Sequence, residues 1–169
     1  MRPGKTGESL LDRGENISLM PIGWVRNEVQ EMGRKRWREV VSEIEISPHF
    51  AACLDGIEAF SHVVVIFWMD RVERCDCLVK KLRPRNGEGP EVGAFATRSQ
   101  RRPNPVGLTS VRLLGREGGR LKVQGLDALD GTPVLDLKPY SPHHDLHPEA
   151  TFPFWVMEME RLRANPLPA

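Results

Sequence analysis

Cysteine is scarce in this 169-residue chain: Cys53, Cys75 and Cys77 are all there are. An odd count in a chain without secretory character reads as reduced thiols and excludes a disulfide framework. Cys75 and Cys77 form a C-x-C pair, which lacks the spacing and the second ligand pair of a zinc site. Long apolar runs are missing as well. No stretch approaches the roughly 18 consecutive apolar residues that a membrane-spanning helix needs. The opening MRPGKTGESLLDRGENIS has Leu10 and Leu11 as its only adjacent apolar pair, so it is not expected to be a signal peptide. Residues 1–18 are expected to be a flexible tail, 19–169 one domain, and the protein cytoplasmic. Charge of one sign is also lacking: 24 Lys and Arg stand against 23 Asp and Glu, a net +1. That balance decides nothing about a polyanionic partner, because local clustering governs such binding. There is no G-x-x-x-x-G-K-[ST] phosphate loop and no strand-borne G-x-G-x-x-G, which excludes the common nucleotide folds. No G-x-S-x-G elbow occurs, which excludes an α/β hydrolase.

Turn-formers, by contrast, are plentiful, with 15 glycines and 14 prolines, and this favours short strands over long helices. A first strand is expected within Leu19 to Val25. A second runs over Val40, Val41, Ile44 and Ile46, where Glu43-Ile44-Glu45-Ile46 alternates wet and dry faces. Ser47-Pro48 begins a helical turn that Asp55-Gly56 ends. His62 to Met69, HVVVIFWM, is the strongest strand and is expected to be buried on both faces, with Phe67 and Trp68 in the core. Further strands are expected at Leu78 to Leu82, Val92 to Thr97, Gly107 to Leu114, Leu121 to Gly125 and Val134 to Leu137. Gly118 and Gly119 are expected to supply positive φ angles to a hairpin, and Leu129 to Thr132 makes another turn. PFWVMEMERLRA reads as a short C-terminal helix. Some seven short strands with frequent turns predict an all-β fold, a small antiparallel barrel.

Three segments carry chemistry. ATRSQRRPNPVG sets Arg98, Arg101 and Arg102 beside a stiff Pro103-Asn104-Pro105 loop. Proline fixes φ and pre-organises the loop, and guanidinium forks suit carboxylates and phosphates, so the segment is fitted to hold an anion. The structural alternative is a solvated basic turn. GLDALDGTPVLDLKPYSP sets Asp127, Asp130 and Asp136 near Lys138 and Tyr140. Asp130-Gly131 has a plain turn-forming role, whereas Asp136 and Lys138 share a strand face and can pair with each other or with a ligand. In SPHHDLHPE, His143, His144, Asp145 and His147 do not have the spacing of a known metal site, and no metal is expected. The basic runs Arg34 to Arg38 and Lys80 to Arg85 are suited to an RNA backbone, with salt-sensitive binding. Trp37 within the first run either stacks on a base or covers the core.

FATRS-x-x-RPNP-x-G followed by LD-x-x-DGTP-x-x-D-x-KPY resembles the TrmO family (TsaA-like, YaeB-like) of tRNA methyltransferases, over roughly Met20 to Pro142. The resemblance implies a β-barrel that binds S-adenosyl-L-methionine, forms a homodimer and methylates N6 of the threonylcarbamoyl-adenosine following the anticodon. By position it implies that Asp70, Arg71, Arg98, Leu108, Gly125, Leu126 and Asp127 contact the cofactor. Asp136, Lys138 and Tyr140 are then the catalytic candidates, and Arg101, Arg102, Asn104 and Trp37 the substrate contacts. The chain departs from the family at MGRKRWRE, which replaces a P-x-Q-P/G type segment. Two other readings stand beside this one: a methyltransferase acting on a small molecule, and a non-catalytic module binding RNA or the cofactor.

Overall fold

The computed structural model describes residues 17–33, 36–72 and 90–164. The expected strand at Leu78 to Leu82, the Cys75–Cys77 pair, the run Lys80 to Arg85, Arg34-Lys35 and nearly all of the expected tail lie outside these residues.

Six antiparallel strands close a barrel: β1 Gly23–Arg26, β2 Val41–Ile46, β3 His62–Trp68, β4 Val106–Glu117, β5 Arg120–Gln124 and β6 Pro133–Pro139. Their order around the barrel is β1-β2-β5-β4-β3-β6. Closure leaves no continuous open edge to template aggregation. The all-β barrel is therefore as the sequence predicts, with six described strands where about seven were expected. The segment Val92 to Thr97 is not one of them. Ala94–Ala96 forms a 3-10 turn instead, because the Thr97 N–H and hydroxyl both donate to the Ala94 carbonyl (3.1 and 2.9 Å). The apolar spacing there suits a strand, but local hydrogen bonds within the segment prevail. The hairpin at GREGG is present, but of its two adjacent glycines only Gly118 has a positive φ, 56°. The helical turn at Pro48–Leu54 is 3-10 and ends at Gly56, whose φ is 87°. A C-terminal helix covers Phe154–Ala164.

Alternation puts one face of each strand inside. Val25, Ile44, Val63, Val65, Phe67, Val111, Leu121, Val123, Leu126 and Val134 fill the barrel. Phe67 is in this core as predicted, whereas Trp68 points outward and is half-buried. At the barrel base Arg116 acts as a clasp. Its guanidinium donates to the Gly118 and Leu54 carbonyls (3.0 and 2.9 Å) and to Asp55 and Glu58 (2.9 and 3.3 Å). The β4–β5 hairpin is thereby tied to the 3-10 segments.

The interior tolerates no extra atom opposite Phe67. A Cβ on Gly107 would lie 2.3 Å from the Phe67 ring, and that ring is held on all sides by the core. Gly107→Ala is expected to destabilise the barrel by roughly 1–3 kcal/mol through overpacking, read as a lower urea midpoint with an unchanged m-value. An unchanged midpoint would show that the ring has room to move.

Candidate functional site at the barrel mouth

The antiparallel order brings six strand ends to one rim: the C-terminal ends of β1, β3 and β5 and the N-terminal ends of β2, β4 and β6. The loops leaving this mouth contain most of the residues singled out in the sequence. β5 runs on into Gly125-Leu126-Asp127, where Gly125 has φ 100° and donates its N–H to the Val40 carbonyl at 2.9 Å. The 3-10 turn Trp37–Glu39 directly precedes Val40, so Trp37, half-buried, stands at the same rim. Leu126 is fully buried and anchors the loop in the core. Asp127 stays exposed and accepts a short hydrogen bond from the Thr109 hydroxyl on β4.

The arginine-rich loop meets the same stretch of β4. Arg98 donates to the Leu108 carbonyl at 3.0 Å. Arg98, Leu108, Thr109 and Asp127 thus adjoin one another around the first half of β4. Arg102 turns inward, donating to the Ala94 and Thr97 carbonyls (3.2 and 2.8 Å). The Arg101 N–H is held by the Ser99 hydroxyl at 3.2 Å. The Asn104 carbonyl accepts from the Val106 N–H at 2.8 Å.

Asp70 and Arg71 leave β3 at the mouth, and Arg71 is tied down there. It donates to the Gln30 carbonyl and to the Asp130 carbonyl, each at 2.8 Å. Asp130 is in turn the centre of a latch. Its carboxylate accepts from the Asn27 N–H (3.1 Å) and the Gln30 amide (3.2 Å). The Asn27 amide donates to Ser42 (2.9 Å) and to the Ala128 carbonyl (3.0 Å). Asn27, Ser42 and Thr109 were not identified from sequence. Asn27 had one readable local signal, the Asx turn in which its side chain accepts from the Val29 N–H at 2.9 Å.

Asp136 and Lys138 lie elsewhere, on the outer face of β6, and Tyr140 directly follows its end. Asp136 pairs with Lys138 at 2.7 Å, and that carboxylate holds the Lys138 ammonium above its ordinary pKa. Asp136 stands level with Ile66 and, one strand further, with Leu108, about 10 Å away at two strand spacings. Tyr140 is four residues beyond Asp136, roughly 13 Å further from the mouth, with its N–H on the His62 carbonyl at 3.1 Å. A concavity of about 510 Å³ opens near the base, lined by Ile22, Phe50, Leu54, Ile57, Phe60 and Asp136 among others. It is apolar and touches the site residues only through Asp136. Among the described residues no three of His, Cys, Asp and Glu converge, and no helix is long and apolar enough to cross a membrane.

The family model for the tRNA-methyltransferase O N-terminal domain matches residues 30–146. The chain belongs to the TrmO family. An S-adenosyl-L-methionine-binding protein of Archaeoglobus fulgidus is 46% identical over 134 residues, covering 75% of this chain and 91% of that one. The human tRNA (adenine(37)-N6)-methyltransferase is 42% identical over 104 residues, covering 59% of this chain and 23% of the human protein. The crystal structure of TrmO from Pseudomonas aeruginosa superposes with a TM-score of 0.69 at 33% identity, over 85% of this chain and 63% of that one. The chain thus spans almost all of a small archaeal relative and only part of these longer ones.

The latch has a pH signature. The Asn27 N–H first, and the Gln30 amide second, hold the Asp130 carboxyl below its ordinary value of 3.8. A depressed folded-state pKa contributes stability that is fully present above 3.8 and is lost as pH falls through the folded value. Asp130→Asn is therefore expected to be less stable than the parent at neutral pH, with the difference shrinking below 3.8. Urea melts of both proteins across that range provide the check, and a pH-independent difference would contradict the latch.

Proposed function

We propose that this protein binds S-adenosyl-L-methionine at the barrel mouth and methylates N6 of the modified adenosine that follows the tRNA anticodon. The observation that carries the reading is the junction of Arg98, Leu108 and the Thr109–Asp127 pair, in a chain of the TrmO family. The donor set suits the cofactor. Arg98, exposed and with a guanidinium fork, suits its carboxylate. Asp127, a carboxylate whose outer lone pairs face solvent, suits ribose hydroxyls or the ammonium. Leu108 presents an apolar surface to the adenine, and the Gly125–Leu126 backbone offers polar groups without a side chain in the way. Asp70 and Arg71 complete the rim, with Arg71 acting by holding the Asp130 turn. A barrel has no long helix pointing its N-terminus at the cofactor, so side chains and loop backbone must supply the binding.

Bound cofactor supplies an electrophilic methyl group on a sulfonium. The protein's task is positioning, which alone can provide a large part of the rate. The N6 proton must leave, and acylation makes that nitrogen more acidic than a plain amine, so a weak base suffices. Asp136, Lys138 and Tyr140 are the proposed catalytic group. Lys138, kept charged by Asp136, steadies the threonylcarbamoyl carboxylate, and Asp136, or Tyr140 as its phenolate, takes the proton. Arg101, Arg102, Asn104 and Trp37 form the proposed contact surface for the anticodon loop.

The distance of Tyr140 from the mouth supports a homodimer. Within one protomer the catalytic group and the cofactor loops stand on different parts of the barrel. The outer face between them carries the partly exposed Ile66 beside the half-exposed Leu108, an apolar surface that a second copy can cover. We also place the protein in the cytoplasm, where tRNA is available, and treat residues 19–169 as one functional domain.

Incubation with radiolabelled S-adenosyl-L-methionine and total tRNA, with and without the threonylcarbamoyl group, tests the proposal. Label confined to the modified tRNA is expected. Arg98→Ala is expected to weaken cofactor binding at least about ten-fold, as befits loss of a charge-assisted contact, read by calorimetry. Cofactor binding without any labelled tRNA would leave the mouth site standing and favour a small-molecule acceptor instead.

A further inference from the structure

We propose that Phe95 is a stacking platform on which the RNA substrate lays an unpaired base beside the methyl-transfer site. The inference rests on the reading of the chain as a tRNA-modifying enzyme and adds a recognition site to it. Phe95 is 81% exposed, yet it does not sit on a loose loop. Its neighbour Ala94 is buried. The Ala94 carbonyl accepts from the Thr97 N–H, the Thr97 hydroxyl and Arg102, and the Ala96 N–H closes on the Gly93 carbonyl at 3.0 Å. The backbone is over-determined, so the ring is held out into solvent by construction. Exposing a large aromatic in this way loses the free energy of burying it, and nothing in the turn requires a side chain larger than alanine there.

The surroundings indicate what covers it. The Arg102 guanidinium carbon lies 5.6 Å from the ring centroid, so the ring is already part of a cation–aromatic stack that can be continued by one more planar group. Arg98, three residues on, reaches the Leu108 carbonyl and ties the turn to the cofactor rim. From Val92 to Thr109 the chain contains three arginines and no Asp or Glu. An exposed aromatic on a rigid, wholly cationic support is how proteins hold single-stranded nucleic acid. The base stacks on the ring, and its phosphates lie along the guanidinium groups. A protein partner would need a broader apolar surface than one ring provides. A base flanking the methylated adenosine is the occupant that fits, because the ring stands beside the mouth.

The test uses the full chain, loaded with S-adenosyl-L-methionine, and an anticodon stem-loop RNA carrying threonylcarbamoyl-adenosine. Phe95→Ala is expected to weaken RNA binding about ten-fold. Its salt dependence should keep the parental slope, because no phosphate contact is removed. Phe95→Trp should restore affinity, and cofactor binding should be the same in all three proteins. With 2-aminopurine substituted in turn at each loop position, one position should lose fluorescence on binding the parent and Phe95→Trp but not Phe95→Ala. Equal affinity of parent and Phe95→Ala for the RNA overturns the platform alone. Failure of the parent to bind the RNA at all overturns both the platform and the tRNA reading. A change of oligomeric state in Phe95→Ala, seen by sedimentation, would overturn it in favour of a subunit contact.

Discussion

The seam between β1 and β6 is the constraint on which this structure depends. The two strands share only two register pairs, Gly23 with Val134 and Trp24 with Pro133. A barrel closed on so short a ladder needs other bonds to continue the seam, and the mouth loops provide them. The Val25 N–H reaches the Thr132 carbonyl, the Gly131 N–H the Val25 carbonyl and the Asp130 N–H the Val29 carbonyl, at 2.8 to 2.9 Å. Asn27 and Asp130 then lock side chain to backbone beyond the last rung. The same contacts that close the barrel therefore fix the Gly125–Asp130 loop. Stability and site geometry cannot be varied independently here, since loosening the loop opens the seam.

This coupling explains why a strongly turn-forming LD-x-x-DGTP segment lies next to the proposed binding residues. Asp130 and Gly131 are consumed by the fold: the aspartate accepts from Asn27 and Gln30, and the glycine takes φ 79°. Asp127, three residues earlier, keeps an exposed carboxylate steadied by Thr109. One short motif divides its acidic residues between architecture and the proposed site. The same division holds in the arginine loop, where Arg102 braces the 94–97 turn while Arg98 and Phe95 face outward.

The sequence made the barrel legible because its signals are local. The alternation in β2, the unbroken apolar run of β3 and the glycine turns at 56, 118 and 131 all act within a few residues of themselves. Val92 to Thr97 misled because its apolar spacing is strand-like, while the bonds that curl it come from Thr97 and from Arg102 further along. Trp68 has a core residue's chemistry but the outward parity of a strand whose inward set is Val63, Val65 and Phe67. The motif residues Arg98, Leu108 and Asp127 were legible through family resemblance. Asn27 and Thr109 were not, because their partners lie 101 and 18 positions away, and only the closed barrel brings them together. The offset of Tyr140 from the mouth is likewise a matter of register, which composition does not encode.

Net charge illustrates the same point at the scale of the surface. A chain of formal charge +1 offers no overall attraction to RNA. The acidic residues, however, are not spread evenly. Glu43 and Glu45 on β2 are neutralised by Arg26 and Arg120 on the neighbouring strands, and Asp55 and Glu58 are taken up by Arg116 at the base. These carboxylates offset cations beside them. The segment from Val92 to Thr109, with no carboxylate of its own, then contributes positive potential where the arginine loop meets β4, opposed there by Asp127 on Thr109. Fields from pairs at the far wall cancel over a few ångströms, whereas guanidinium groups beside a low-dielectric barrel end act over about a Debye length of 8 Å at physiological salt. A near-neutral protein can in this way present one cationic loop, from Val92 to Thr109, at a mouth whose other loops carry Asp70, Asp127 and Asp130. In the proposed function that loop lies beside the methyl donor, the acylated adenosine and the base on Phe95.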